Sequence, residues 1–298
     1  MKVIKMISIF VPSHITGFFS IYEKNNKLLR GSLGCGVLLD KGVKTTFAES
    51  DDEGFHILIN GKEDEYYETI SKNTIEIINQ NYPLSDYLLK NNLKGLIINH
   101  EIEVPIGCGF GTSGSSSLGI ALGLKEILNL PIDYTRAGQF AHLSEVNLNC
   151  GLGDVIAQMS KGIVLRTKPG APGIGETKSI KSDYYIVSKA MGKISTSSII
   201  TDHDFTKKIT GYGIKAHKKF VENISSENFI KCSYEFSQKI GLLNPEIEDM
   251  INEFNEFCIG SSMAMIGNTV FGLSNDINSL SNKYMINKID NEGIKISK

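Results

Sequence analysis

Apolar positions come in short runs over the first 60 residues and in a helical rhythm after residue 65. The runs VIKMISIFV (3–11), CGVLLD (35–40), VKTTFA (43–48) and FHILI (55–59) are each bounded by Gly, Asp, Lys or Asn and predict strands. Residues 65–92 predict a helix whose apolar face carries Ile70, Ile75, Ile77 and Ile78. LIINHEIEVPI (96–106) resumes a strand and runs into a glycine-rich loop. SSSLGIALGLKEILNL (115–130) then predicts a helix that stops at Pro131. A second helix is expected over 135–149, a third from Asp154, and a strand over GIVLRT (162–167). TKPGAPGIGET (167–177) is the richest turn region and the expected boundary between two domains, 1–170 and 171–298. Beyond it, DYYIVSKA predicts a strand, 204–222, 227–240 and 246–258 predict helices, and SSMAMIGNTVFGLS predicts a turn into a strand. Strands and helices mixed in this way predict an α+β fold.

The chain has 298 residues, of which 41% are hydrophobic, enough for a sizeable core. The net charge is −2 and lysines are interspersed with acids, so a nucleic-acid surface is not expected. The five cysteines, at 35, 108, 150, 232 and 258, form no CxxC pair, and their number is odd. Free thiols in a reducing compartment fit that pattern better than a disulfide framework or a zinc site. The N-terminal run has no small-residue cleavage site and predicts a strand, not a signal peptide. No apolar run approaches the ~18 residues a membrane span needs. A soluble, cytoplasmic protein without nucleic-acid or membrane partners is expected.

PIGCGFGTSGSSSLGIALGL (105–124) holds six glycines and five hydroxyl residues at a junction of strand and helix. A helix N-terminus has unpaired N–H groups and a partial positive charge, so an anion is stabilised there. Gly107, Gly109, Gly111 and Gly114 would let the backbone approach a phosphate, and Thr112, Ser113, Ser115 and Ser116 add donors. An ordinary strand-to-helix turn with glycine caps has the same composition. The loop is neither a Walker A motif, since no Lys opens the helix, nor a dinucleotide fingerprint.

The same stretch resembles the phosphate-binding motif of the GHMP kinases, in which Pro and three residues precede Gly-Leu-Gly-Ser-Ser. Here Pro105 precedes Gly109-Phe110-Gly111-Thr112-Ser113, with Phe110 and Thr112 departing from the pattern. VPSHITGFFSI (11–21), GSLGCGVLLDKGVKT (31–45), GLGDVIAQMSKGIVLRTKPGAPG (151–173) and SSMAMIGNTVFGLS resemble the archaeal pantoate kinase branch of that superfamily. The resemblance spans the chain. It implies an N-terminal domain like the second domain of ribosomal protein S5 and a ferredoxin-like C-terminal domain. It further implies ATP with Mg²⁺, transfer of the γ-phosphoryl group to the 4-hydroxyl of pantoate on the way to coenzyme A, and a homodimer.

Carried onto this sequence, the resemblance places Pro105 and Gly107 through Ser116 at the nucleotide phosphates. Asp154 then stands at the acceptor hydroxyl, as base or as orienting group, although an Asp at a helix start is also a plain cap. Glu145 falls on the stripe of Ala137, Ala141, Ser144 and Leu148. A buried acid needs a partner, either Mg²⁺ shared with Ser113 or a nearby Lys or Arg. His14 takes the place of a Lys or Arg in mevalonate kinase and galactokinase, where it would bond the acceptor or serve structure alone. His142, one turn before Glu145, is a further candidate near the metal. Arg166 is the candidate for the substrate carboxylate, because its planar fork matches one, with a surface ion pair as the alternative. Arg30, Ser32 and Ser13 are further substrate candidates. Met263, Met265, Val270 and Phe271 are expected to be core. Another GHMP kinase, of homoserine, shikimate or mevalonate type, and a catalytically silent binding protein are the rival readings.

Overall fold

Two long antiparallel strands, β1 (Ile7–Tyr22) and β2 (Gly31–Ser50), run through the whole molecule. The structure, a computed structural model, describes residues 6–192, 203–277 and 283–298. The expected first strand began at residue 3, and residues 3–5 lie outside the described ones. The short runs expected at 35–40 and 43–48 are one continuous strand, and β1 extends through Gly17 to Tyr22. The pairing shifts register at Pro12/Ser13 and again at Thr16/Phe18, which breaks the alternation that periodicity relies on.

The first sheet also contains β3 (Gly54–Ile59), β4 (Gly95–Ile102), β5 (Ile163–Lys168), β6 (Glu176–Ile180) and β11 (Lys295–Ser297). Its order is β11-β1-β2-β4-β3, with β5 on the other half of β2 and β6 beside β5. Among these strands only β3 and β4 are parallel, and α1 (Glu65–Asn81) and α2 (Leu84–Lys90) cross between them. The single helix expected over 65–92 is thus two, because Pro83 has no N–H to continue the ladder. After β4 come α3 (Thr112–Ile127), α4 (Tyr134–Asn147) and the five-residue α5 (Asp154–Gln158).

The second sheet has the antiparallel order β10-β7-β9-β8, from β7 (Tyr185–Gly192), β8 (Gly260–Met263), β9 (Asn268–Ser274) and β10 (Met285–Lys288). Helices α6 (His203–Glu222), α7 (Ser226–Ile240) and α8 (Pro245–Asn255) lie between β7 and β8 in sequence. Helix α7 touches both β1 and β8, so it is sandwiched between the sheets. A cut at 170/171 would divide the β5–β6 hairpin, and β11 returns to pair with β1.

The two cores meet on β1 and β2. Ile7, Ile9 and Val11 pack with α1 and α3, whereas Ile15, Phe18 and Ile21 pack with α6, α7 and the second sheet. The expected core residues Met263, Met265, Val270 and Phe271 are all buried. Helix α3 lies tight against β2 because Gly119 and Gly123 face it. A Cβ at Gly123 would stand 1.9 Å from the ring of Phe47. Gly123→Ala is therefore expected to destabilise the protein by about 1–3 kcal/mol through overpacking. This outweighs the helix propensity it gains, as urea unfolding will show.

Candidate active site

The glycine-rich loop leaves β4 and enters α3, as its pattern predicted. Gly107, Gly109 and Gly111 have φ of 76°, 89° and 62°, left-handed conformations that side chains disfavour. Gly111 is the N-cap of α3; no side chain caps the helix, and no acid stands in its first turn. Its N-terminal N–H groups are thus left for an anion. Two ties hold the loop from below: His14 N–H donates to the Phe110 carbonyl at 2.9 Å, and the Thr269 hydroxyl donates to the Cys108 carbonyl at 2.7 Å. The turn after β8 presses on it as well, since a Cβ on Gly267 would stand 2.2 Å from the Cys108 carbonyl oxygen.

Asp154 opens α5, whose N-cap is Gly153, so Asp154 is not the cap. Its Oδ1 lies 2.7 Å from His14 Nδ1. Burial by itself would raise the Asp154 carboxyl. The hydrogen bond from His14, the charge His14 carries when protonated and the charge of Arg166 together outweigh burial and hold the group below its usual range. Burial likewise lowers His14, against the opposing pull of Asp154. The pair is therefore an ionised carboxylate facing a neutral imidazole that donates from Nδ1. His14 Nε2 has no partner and points at Gly36, where a Cβ would lie 2.1 Å away.

Arg166, on β5, is only 1% exposed, and its Nε and Nη1 have no hydrogen-bond partner. Gly34 and Gly153 make room for it, since a Cβ on either would stand 2.9 or 2.8 Å from guanidinium nitrogens. Asp154 supplies opposite charge. Glu145, on α4, is also buried. It accepts from the Ser113 hydroxyl at 3.1 Å through Oε2, and its Oε1 has no partner. Burial, with the charge of Asp154 adding to it, raises this carboxyl to about 8. Both carboxylates face Gly151, where a Cβ would stand 2.3 Å from Glu145 Oε2 and 2.9 Å from Asp154 Oδ2.

The loop, Asp154 and Arg166 border one cavity of about 750 Å³. The loop, Ser32, Gly151, Asp154 and Arg166 line it together with Ile59, Ile70, Ile102, Ile106 and Tyr67. Its size suits two small ligands held together.

The family model for the GHMP kinases N terminal domain matches residues 71–162. The chain is 37% identical to a pantoate kinase of Methanocaldococcus jannaschii over 89% of its own length and 92% of that relative's. The chain belongs to the GHMP kinases, in the pantoate kinase family. It is 34% identical to a pantoate kinase of Thermococcus kodakarensis, over 91% of this chain and 88% of that one. Among solved structures, a phosphotransferase related to the CoA biosynthesis pathway matches with a TM-score of 0.85 at 30% identity. The match covers 98% of this chain and 99% of that one. The α+β GHMP kinase fold and an ATP-dependent small-molecule kinase are thereby established for this chain.

In this GHMP kinase the predicted site residues fall into three groups. Gly107, Gly109, Gly111, Thr112, Ser113, Ser116, Ser32, Asp154 and Arg166 line the cavity. His14 and Glu145 stand directly behind that lining, through Asp154 and Ser113. The rest are turned elsewhere. The Ser13 hydroxyl donates to the Lys41 carbonyl at the register shift, and Arg30 pairs with Glu23 at 2.6 Å. Ser115 faces inward to the Pro12 carbonyl, Gly114 packs on Gln158, and Pro105 stands at the loop entrance. His142 bonds the Lys27 carbonyl at 3.1 Å and does not line the cavity. Sequence reasoning missed Gln158, which bonds the loop, and it missed the pairing of His14 with Asp154, 140 residues apart.

Among the described residues no group of three or more His, Cys, Asp or Glu could hold a metal ion. The orphaned Oε1 of Glu145 beside the Ser113 hydroxyl nonetheless fits a hard cation that takes two protein oxygens and completes its shell with phosphate and water. Without metal, a carboxyl whose value rises from 4.5 when free to about 8 in the fold loses stability as pH climbs through that window. The metal-free protein should therefore weaken by up to about 1.4 kcal/mol per pH unit across it. Glu145→Gln should flatten that slope in urea unfolding at pH 5, 6.5 and 8.

Proposed function

We propose that this enzyme phosphorylates the 4-hydroxyl of pantoate with ATP, giving 4-phosphopantoate and ADP in a route to coenzyme A. The observation that carries the reading is Arg166. A buried guanidinium on the wall of the cavity that holds Asp154, with N–H groups left without a partner, would pair with the carboxylate of a small acid. The pantoate kinase relatives and the CoA-pathway phosphotransferase point to the same acid.

On this reading the adenine lies against Ile59, Ile70, Ile102, Ile106 and Tyr67. The phosphates lie on the loop and the first turn of α3, within reach of Thr112, Ser113 and Ser116. Ser113 and Glu145 would hold Mg²⁺, which neutralises phosphate charge when bound. Arg166 takes the carboxylate of pantoate, with Ser32 beside it. Its hold leaves the 4-hydroxyl facing Asp154. Oxygen attacks the γ-phosphorus, that P–O bond forms as the bond to the bridging oxygen of ADP breaks, and Asp154 receives or polarises the hydroxyl proton. His14 keeps the Asp154 carboxylate oriented by donating to Oδ1. Positioning is the main contribution such a site makes.

The domain division belongs to the same proposal. One unit runs through the β5–β6 hairpin and takes β11 back, and the other holds the second sheet, supported by the strand pairing. A cytoplasmic location is supported by five free cysteines. Among the described residues, no helix is long and apolar enough to cross a membrane. A homodimer is the assembly that the family resemblance implies, and sedimentation decides it.

The test is ADP release with ATP, Mg²⁺ and pantoate, homoserine, shikimate or mevalonate. Turnover is expected with pantoate. Asp154→Ala should lower kcat by about 10²–10⁴. Arg166→Met should raise KM for pantoate far more than KM for ATP. Turnover of another acceptor alone would overturn the substrate, and no turnover at all would favour a binding protein.

A further inference from the structure

The helix that opens with Asp154 closes with Gln158, a residue to which the mechanism above gives no part. Gln158 has no solvent exposure. Its Nε2 donates to the Gly111 carbonyl at 2.8 Å and to the Ser115 hydroxyl at 2.7 Å. A carbonyl only accepts, so this partner fixes which end of the amide is nitrogen. The other end, Oε1, has no partner and lies against Gly114, where a Cβ would stand 2.7 Å from it. An unmet buried acceptor is costly, and an apolar side chain of the same length would avoid that cost.

The path continues beyond Ser115. The Ser115 hydroxyl lies 3.1 Å from the Pro12 carbonyl and 3.2 Å from that of Gly111. Pro12 is two residues before His14 on β1. His14 takes the Phe110 carbonyl through its own N–H and Asp154 through its ring. The hydrogen bonds form a closed circuit through α5, the end of the loop, β1 and back to α5.

We propose that Gln158 is a positioning residue that locks α5 to the end of the phosphate loop and so fixes where the Asp154 carboxylate stands relative to the transferring phosphoryl group. One helical turn joins the two side chains, so slack at Gln158 moves the carboxylate. The inference rests on the reading of Asp154 as the group that meets the acceptor hydroxyl. Gln158 holds the loop through the Gly111 carbonyl and the Ser115 hydroxyl and makes no hydrogen bond to Arg166, Thr112, Ser113 or Ser116, so the larger effect falls on kcat and a smaller one on KM.

Gln158→Met keeps the length of the side chain and removes both donors. In the ADP-release assay it should lower kcat by about 10–100-fold, with each KM within about threefold of wild type. Its Tm should hold or rise, because the unmet acceptor is gone. In an Asp154→Ala background the same change should have no further effect, since it acts through Asp154. Ser115→Ala, which cuts the circuit at its next link, should lower kcat in the same direction and carries the test if Gln158→Met does not fold. An unchanged kcat in folded Gln158→Met, a rise confined to KM, or losses that multiply in the double variant would overturn the inference. If wild type turns over a different acceptor, the substrate reading falls, and Gln158 is judged by the same comparison with that acceptor. A wild type with no turnover on any acceptor overturns both.

Discussion

The site depends on one buried positive charge. Arg166 sits out of water between the sheet and α5, and a lone charge in that place is costly. Asp154 balances it and accepts from His14, which burial keeps neutral against the pull of that carboxylate. The glycines at 34, 36 and 153 are needed because side chains there would collide with Arg166 or His14. The ionised state of Asp154 and the glycines around it thus follow in part from the burial of one guanidinium.

The location of that cluster follows from β1 and β2. Each strand leaves one hydrophobic core and enters the other, and the register shifts fall at this passage. At a junction of cores, side-chain packing gives way to backbone carbonyls and polar groups. His14 stands on this stretch of β1, the loop rests on it through Phe110, and the β8–β9 turn reaches the same loop at Cys108. Elements from both halves of the chain therefore converge on the glycine-rich loop.

The sequence disclosed the parts of the site that are local. The glycine-rich loop was legible because left-handed backbone and a helix start leave a compositional mark, and all three long helices after residue 200 follow a clear 3.6-residue rhythm. Glu145 was legible as an acid on an apolar helical stripe and Asp154 through the family resemblance, although the partner of Asp154 was not. The link from His14 to Asp154 is made by folding alone. The short strands β6, β10 and β11 carry too few residues for a periodicity, and the bulges of β1 and β2 erased the one those strands should have had. Arg30 and Ser13 lie in the right motifs, but their side chains are taken by Glu23 and by a bulge carbonyl.

The pairing of β11 with β1 has a kinetic consequence. Ser297 lies beside Ser8, so nearly the whole chain separates two neighbouring strands. Such a contact closes a very long loop and forms late during folding. The strands and helices of the second sheet, by contrast, are drawn from one unbroken stretch between β6 and β11 and can assemble first. β11 is therefore expected to dock against β1 late, after those more local contacts have formed.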